Sequence, residues 1–195
     1  YNVPKWYIES CKRIKYMFPK AHATAYVIMA LRIGWFKVYR PIFYYAAYFS
    51  RRTDAFDVVA MASGYEAIKV RLIELQNKVQ SKSATAKEID TYNCLLLCLE
   101  MTARGYNFIQ MDINYSDATN FRVSKDRKSI LIPFNALESL GDATAISIVK
   151  ARNEADFTSK QDIMRRTKIN TTQFEKMNIM GVFGNLPEDD QIGLF

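Results

Sequence analysis

Residues 20–39 are the stretch that most restricts what this chain can fold into. They contain no acidic side chain, and apolar side chains occupy every face that a helix there would have. A helix that is apolar all round is buried in a larger body or in a membrane. The most apolar part, residues 23–36, is too short to span a bilayer and is interrupted by Arg32. We therefore expect a helix that is buried in a larger protein body.

The rest of the chain also has mostly helical patterns, and its 7 glycines and 5 prolines are few for 195 residues. Capping boxes are predicted at Ser63–Glu66 and Thr85–Glu88, and Gly105 is expected to end a helix. The predicted helices are 5–18, 20–39, 42–51, 65–79, 85–103, 142–152, 159–166 and 171–179. Residues 111–132 are β-prone around a charged turn at 124–129, which predicts a hairpin. The expected fold class is mainly α with a small β-hairpin.

The three cysteines, Cys11, Cys94 and Cys98, show no metal-binding or disulfide spacing. Cys94 and Cys98 are four residues apart and are expected to share one buried helix face. Free thiols indicate a reducing, cytoplasmic location, and we find no signal peptide. No Asp-x-Asp pair, Cys/His cluster or Gly-rich phosphate loop is present, so we predict no catalytic residue and no metal site. These features indicate a binding module.

The positive charge is concentrated at the start of the chain. Residues 1–52 carry ten Lys and Arg side chains and one acid, whereas the net charge of the whole chain is +7. Such a one-sign field is typical of a surface that meets a polyanion. Lys20 and His22 lie at a helix start, where an anion such as a triphosphate is favoured. The alternative is that Lys20 is solvated and His22 caps or packs.

Residues 133–152, PFNALESLGDATAISIVKAR, have the spacing of a helix–hairpin–helix. A tight turn at Gly141 would expose backbone N–H groups that hold a DNA phosphate without reading its sequence. Lys150 and Arg152 would add positive charge. Asp142 departs from the pattern and could instead be the helix N-cap. The alternative is an ordinary helical hairpin. Residues 159–185 are similar to a degenerate second copy.

The closing residues, QIGLF, have the composition of a linear peptide motif. Two apolar anchors would fill a pocket on a partner while the Gln191 amide bonds at its rim. The preceding Pro187–Asp190 is a polar segment expected to hold the tail away from the body. The alternatives are a frayed end or an end docked on the core.

Four stretches together resemble one family, the PolC-type alpha subunit of bacterial DNA polymerase III, in its C-terminal part. They are WYIESCKRIKYMFPKAHATAYVIMALRIGWFKVYRPIFYYAAYFS, LLLCLEMTARGYNF, LIPFNALESLGDATAISIVKAR and LPEDDQIGLF, and the match extends from residue 6 to the end. The family's tail is usually Gln-Leu-Ser-Leu-Phe, so Ile192 and Gly193 depart from it. The start at Tyr1 also indicates a piece of a longer protein.

The resemblance implies four segments: residues 1–55 as the end of the polymerase fingers, 56–110 as a helical connector, 111–187 as a duplex-binding domain and 188–195 as a clamp-binding tail. The implied partners are double-stranded DNA, a deoxynucleoside triphosphate and the sliding clamp, with no membrane. The implied activity is DNA-directed DNA polymerisation. Its Mg²⁺-binding aspartates would lie in a palm upstream, so the chain alone should be inactive.

The resemblance also implies site residues in three groups. The nucleotide or template contacts would be Lys20, His22, Lys12, Arg13, Lys15 and Arg32, of which Arg32 could instead be a buried structural partner. The DNA phosphate contacts would be Leu140, Gly141, Asp142, Ala143, Lys150 and Arg152. The clamp contacts would be Gln191, Ile192, Leu194 and Phe195.

Two rival hypotheses remain. One is a stand-alone helix–hairpin–helix protein of the DNA-repair scaffold kind, which an upstream palm with an Asp-x-Asp pair would exclude. The other is a helical scaffold whose only function is the C-terminal peptide, which predicts no salt-dependent DNA binding.

Overall fold

A computed structural model describes residues 2–13 and 20–189 of the chain. It divides into two compact units, Tyr1–Pro41 and Ile42–Phe195. The structure groups the third helix with the second unit, whereas the predicted fingers segment extends to residue 55, and that functional division stays a prediction.

The first unit contains two helices, α1 (Lys5–Arg13) and α2 (Lys20–Tyr39). The predicted helix at 20–39 is confirmed. The predicted helix at 5–18 is confirmed over Lys5–Arg13, and its residues 14–18 lie outside the described residues. Neither helix has a buried residue, and Leu31 is 69% exposed. The apolar side chains of α2 are therefore exposed within their own unit. The burial of this helix in a larger body stays a prediction.

The second unit is mainly helical, as predicted. Its helices are α3 (Pro41–Arg51), α4 (Val58–Ser63), α5 (Tyr65–Gln80), α6 (Ala86–Ala103), α7 (Asp142–Glu154), α8 (Lys160–Arg166) and α9 (Thr171–Ile179). A 3₁₀ turn, Phe134–Ala136, precedes α7. The strands are β1 (Asn107–Ile109), β2 (Arg122–Val123) and β3 (Ser129–Leu131). Among the described residues, no helix is long and apolar enough to cross a membrane.

The helix boundaries follow local capping signals in most places. The capping box of Thr85 and Glu88 opens α6 as predicted, and Gly105 follows that helix with a φ of +84°. The capping box predicted at Ser63 is wrong. The Asp57 side chain caps an earlier helix, α4, and the Ser63 hydroxyl donates to Val59 O within its last turn. Ser63 is therefore the last residue of α4 and not the cap of the helix that follows.

The strands form one small sheet in the order β1-β3-β2. The predicted hairpin is confirmed, since β2 and β3 pair in antiparallel fashion around the turn at Ser124–Ser129. Strand β1, which pairs with β3 in parallel, was not predicted from the sequence. Three residues after a helix carry too weak a pattern to be recognised without their distant partner.

One apolar core extends through the second unit. It includes Ile68, Leu72 and Leu75 on the stripe predicted for α5. Cys94 and Cys98 are both buried on α6, as expected from their spacing. Burial in this core also stabilises the elements around the candidate site, because the turn at 137–141, directly before α7, is anchored in it.

A buried phenol ties α3 to α6. The Tyr45 hydroxyl donates to Glu100 Oε1 at 2.9 Å and accepts from Arg104 Nη1 at 2.9 Å. Burial is the main cause that raises the pKa of Tyr45 to about 12. The phenol therefore stays neutral at physiological pH and serves as a hydrogen-bonding link between the helices.

Candidate nucleic-acid interface

The hairpin before α7 consists of the 3₁₀ turn Phe134–Ala136 and a tight turn, Leu137–Gly141. The first helix of the predicted helix–hairpin–helix is thus a single 3₁₀ turn. Leu137 and Leu140 are buried and anchor the turn in the core. Leu140 N donates to Leu137 O at 3.0 Å, which closes the turn. Leu140 was predicted to help hold a phosphate, but its N–H and its side chain both serve the hairpin itself.

The start of α7 presents three N–H groups to the outside. The N–H groups of Thr144 and Ala145 both donate to Gly141 O at 3.0 Å. Within residues 2–13 and 20–189, no hydrogen-bond partner is found for the N–H groups of Gly141, Asp142 and Ala143. Unsatisfied N–H groups at a helix start and the positive end of the helix dipole together favour an anion.

Gly141 is the N-cap of α7, with φ −75° and ψ 166°. Any residue adopts that conformation, so the backbone does not require glycine here. A Cβ added at Gly141 would meet no atom within 4 Å. What glycine does provide is unobstructed access to the three N–H groups, which a close approach of a phosphate needs. The suggestion that Asp142 is the N-cap is wrong, since Asp142 is the first helical residue.

Ser139 has a positive φ of +72°, a left-handed conformation that is costly for residues other than glycine. The Ser139 carbonyl accepts a hydrogen bond from Gln173 Nε2 at 2.6 Å. Gln173 lies on α9, in the second helical pair. Neither Ser139 nor Gln173 was predicted from the sequence to belong to the site. The one local signal in the sequence for this turn is a small polar residue, Ser139, two positions before Gly141.

The charges around the turn are mixed. A groove of about 360 Å³ beside the turn is lined by residues that include Asp54, Lys87 and Glu138. Lys87 forms an ion pair with Glu138, and its hydrogen bond lowers the pKa of that carboxyl. The Asp142 carboxylate accepts from Asn135 Nδ2 at 3.0 Å. Side-chain charge near the turn is therefore not strongly positive, and the N–H groups are the main attraction for an anion.

The two cationic side chains predicted further along α7 differ in their surroundings. Lys150 is exposed. The Arg152 Nη1 donates to the carbonyls of Ile113 and Ser116 at 2.9 Å each, and burial lowers its pKa. Arg152 was predicted as a phosphate contact, but it links α7 to the loop at 113–116. Lys150 remains the cationic candidate on this helix.

The second helical pair, α8 and α9, is less suited to anion binding at its first helix. The N–H groups of Lys160 and Gln161 donate to the carbonyls of Pro187 and Glu188 at 2.8 and 3.0 Å. The Ser159 hydroxyl caps Asp162 N. The N–H groups at the start of α8 therefore already have hydrogen-bond acceptors within the protein and are not free to bind an anion. These bonds also tie the segment at 187–188 to α8, whereas the sequence predicted that this segment holds the tail away from the body.

The predicted nucleotide or template contacts lie in the first unit. Lys12 and Arg13 end α1, and both are exposed. Lys20 begins α2, and the His22 ring packs against Tyr26 with centroids 4.4 Å apart. Positions two apart point to different sides of a helix, so Lys20 and His22 do not share a face. Lys15 lies outside the described residues, so its predicted contact stays a prediction. Arg32 is exposed, so the alternative that it is a buried structural partner is wrong for the described residues.

The clamp contacts predicted at Gln191, Ile192, Leu194 and Phe195 also lie outside the described residues. In the part of the chain that the structure describes, no three His, Cys, Asp or Glu side chains form a group that could hold a metal ion.

The amino-acid sequence of this chain matches known proteins in two ways. The family described as "Helix-hairpin-helix motif" matches residues 105–191. DNA polymerase III PolC-type proteins from Streptococcus mutans and Streptococcus sanguinis are 50% and 48% identical to this chain over 194 residues. The same protein from Streptococcus pneumoniae is 49% identical. The alignments cover 100% of this chain and 13% of each relative.

The chain is a relative of PolC-type DNA polymerase III. The resemblance recognised from the sequence is thereby confirmed, as is the helix–hairpin–helix. The chain spans about an eighth of the length of these PolC-type relatives. What a whole PolC-type polymerase does is therefore carried to this chain only as a proposal.

Proposed function

We propose that this chain is the part of a PolC-type replicative DNA polymerase that holds duplex DNA. The observation that carries the proposal is the exposed start of α7, where the N–H groups of Gly141, Asp142 and Ala143 surround open space. These groups would donate to one phosphate of the DNA backbone. Lys150 would add an ionic contact further along α7. The match to a helix–hairpin–helix family and to PolC-type relatives supports this assignment.

Binding of this kind does not depend on DNA sequence. Backbone N–H groups contact phosphate oxygens, which carry no base information. A replicative polymerase needs such contacts because it must hold every sequence it copies. Affinity should then fall steeply with salt concentration, since each neutralised phosphate releases counterions.

The test is duplex binding by the full 195-residue chain over a series of KCl concentrations, with two duplexes of unrelated sequence. We expect equal affinities for both and a linear fall of log affinity with log salt. Each phosphate contact adds about 0.9 to the slope. Absence of salt-dependent binding by the folded chain would contradict the proposal.

We also propose that the parent protein is a DNA-directed DNA polymerase whose Mg²⁺-binding aspartates lie in a palm outside this chain. The polymerase names of the relatives support the family activity. Metal ions held by those aspartates would supply positive charge that stabilises the attacking and leaving oxygens of nucleotide transfer. This chain would contribute binding only and should not incorporate nucleotides by itself.

The nucleotide contact proposed for the fingers can be tested at Lys20. Lys20→Ala in the whole polymerase is expected to raise the KM for deoxynucleotides, because a lysine at a helix start would attract the triphosphate. Steady-state incorporation measures this KM. Lys69→Ala, which removes an exposed lysine from α5, is the control. An unchanged KM in the Lys20 variant would contradict the contact.

The clamp contact can be tested by removing residues 191–195. We expect the shortened chain to lose binding to the sliding clamp in a pull-down or by surface plasmon resonance, while duplex binding is retained. Two apolar anchors and one amide contribute the binding in such motifs, so Phe195→Ala alone should weaken it strongly. Equal clamp binding by the full and shortened chains would contradict the assignment.

A further inference from the structure

Gln173 contacts both helical pairs of the second unit at the same time. Its side chain is 6% exposed. Its Oε1 accepts from Asn170 N at 3.1 Å, which completes the capping box of α9. Its Nε2 donates to Ser139 O at 2.6 Å, in the turn before α7. The amide thus uses one atom to cap its own helix and the other to hold a turn 34 residues away.

The turn that Gln173 holds is the one that orients the proposed phosphate site. Ser139 has a φ of +72°, a left-handed conformation that is unfavourable for a residue that is not glycine. Such a conformation persists only when its surroundings hold it. The Gln173 bond fixes the Ser139 carbonyl and therefore the peptide plane that precedes Leu140 and Gly141.

We infer that Gln173 is a positioning residue for the phosphate site at the start of α7. The inference rests on the proposed duplex binding. Gln173 does not touch the DNA itself. Its bond keeps Ser139 in the left-handed conformation, and this aims the Gly141, Asp142 and Ala143 N–H groups at one point. Pre-organised donors bind an anion more tightly than donors that must be ordered on binding.

The variant that isolates this role is Gln173→Glu. A carboxylate at this position still accepts from Asn170 N, and Glu is a preferred residue in a capping box. It cannot donate to Ser139 O and would repel that carbonyl. The cap of α9 is therefore retained while the link to the turn is lost. Gln161→Glu, on the exposed surface of α8, is the control with the same change in charge.

The decisive comparison adds Ser139→Gly to Gln173→Glu. Glycine adopts a positive φ without the cost that serine has, so the turn no longer needs the Gln173 bond to keep its conformation. If Gln173 acts through Ser139, the second substitution should restore much of the lost DNA affinity. If Gln173 only stabilises α9, Ser139→Gly should restore nothing.

The experiment measures duplex binding across the KCl series and thermal unfolding for the wild type, the two single variants, the double variant and the control. For Gln173→Glu we expect at least about a tenfold loss of affinity and a salt slope lower by about one, the effect of one lost phosphate contact. The double variant should recover most of both. The Gln161→Glu variant should stay within about threefold of the wild type, because its charge is exposed and screened.

Each remaining outcome overturns the inference in a recognisable way. Wild-type affinity in the Gln173→Glu variant would overturn it and leave the proposed duplex binding intact. A loss that the double variant does not recover would assign Gln173 a purely structural role. A wild-type chain that does not bind duplex DNA would overturn the proposed function and this inference together.

Discussion

Replacing Gly141 by valine is expected to reduce the affinity of the chain for duplex DNA by at least about tenfold, with little change in folding. The valine side chain would occupy the open space in front of the three free N–H groups of α7. Hydrogen bonds to a charged group contribute about 1.5–3 kcal/mol each, and a tenfold change in affinity corresponds to 1.4 kcal/mol. Fluorescence anisotropy at several salt concentrations measures the loss.

The expected change in stability is small because Gly141 has an extended conformation, in which valine is tolerated. The free energy of unfolding, measured by thermal denaturation, should therefore fall by no more than about 1 kcal/mol, the cost of a poorer N-cap. Wild-type affinity and salt slope in the valine variant would show that the start of α7 does not hold phosphate.

Asp142→Asn provides a companion variant with the opposite expected effect on binding. Its carboxylate lies at the first position of α7, next to the proposed phosphate site. Removing one negative charge about 4–6 Å from a phosphate should raise affinity about fivefold. The helix loses a favourable dipole interaction of about 0.3–1 kcal/mol, so stability should fall slightly. A general folding defect would lower both quantities, so the pair of variants separates binding from folding.

Arg166→Met is expected to destabilise the second unit by about 3 kcal/mol. The Arg166 guanidinium donates to Asp162 Oδ2 at 2.8 Å and to the carbonyls of Ala151 and Ala155 at the end of α7. It also lies over the Phe157 ring, 4.9 Å from the centroid. Its loss would leave a 96% buried carboxylate, Asp162, with one arginine fewer and would uncap α7. Chemical denaturation measures the effect.

Arg165→Met is the matched control, because Arg165 also pairs with Asp162 but its side chain is 67% exposed. We expect it to cost about 1 kcal/mol or less, since exposed ion pairs contribute little. Equal losses in the two variants would show that the buried cap is not what makes Arg166 important.

The pH dependence of Arg166→Met follows from the pKa of Asp162. Burial raises that pKa, but hydrogen bonds from Arg166 and Arg165 outweigh burial and hold it below its ordinary value of 3.8. A lowered pKa stabilises the fold above the ordinary value, and this stability is lost as pH falls through the folded value. The difference between the wild type and Arg166→Met should therefore shrink below about pH 4.

The sequence determined the features that depend on neighbours within a few residues. The helices at 20–39 and 171–179 have the predicted limits, and the Thr85–Glu88 cap opens α6 as expected. The position of the helix–hairpin–helix was also recognised. Helix periodicity, caps and turn residues act over three or four positions, so a single sequence displays them directly.

The tertiary structure decided which of the predicted site residues are free to act. Arg152 bonds to the loop at 113–116, Leu140 closes its own turn, and Gln173 reaches Ser139 from another helical pair. A parallel strand, β1, appears only through its pairing with β3. These contacts join residues far apart in the chain, and their partners depend on how the core packs. No local pattern encodes them, because polar side chains bond to whichever groups the packing of the core brings within reach.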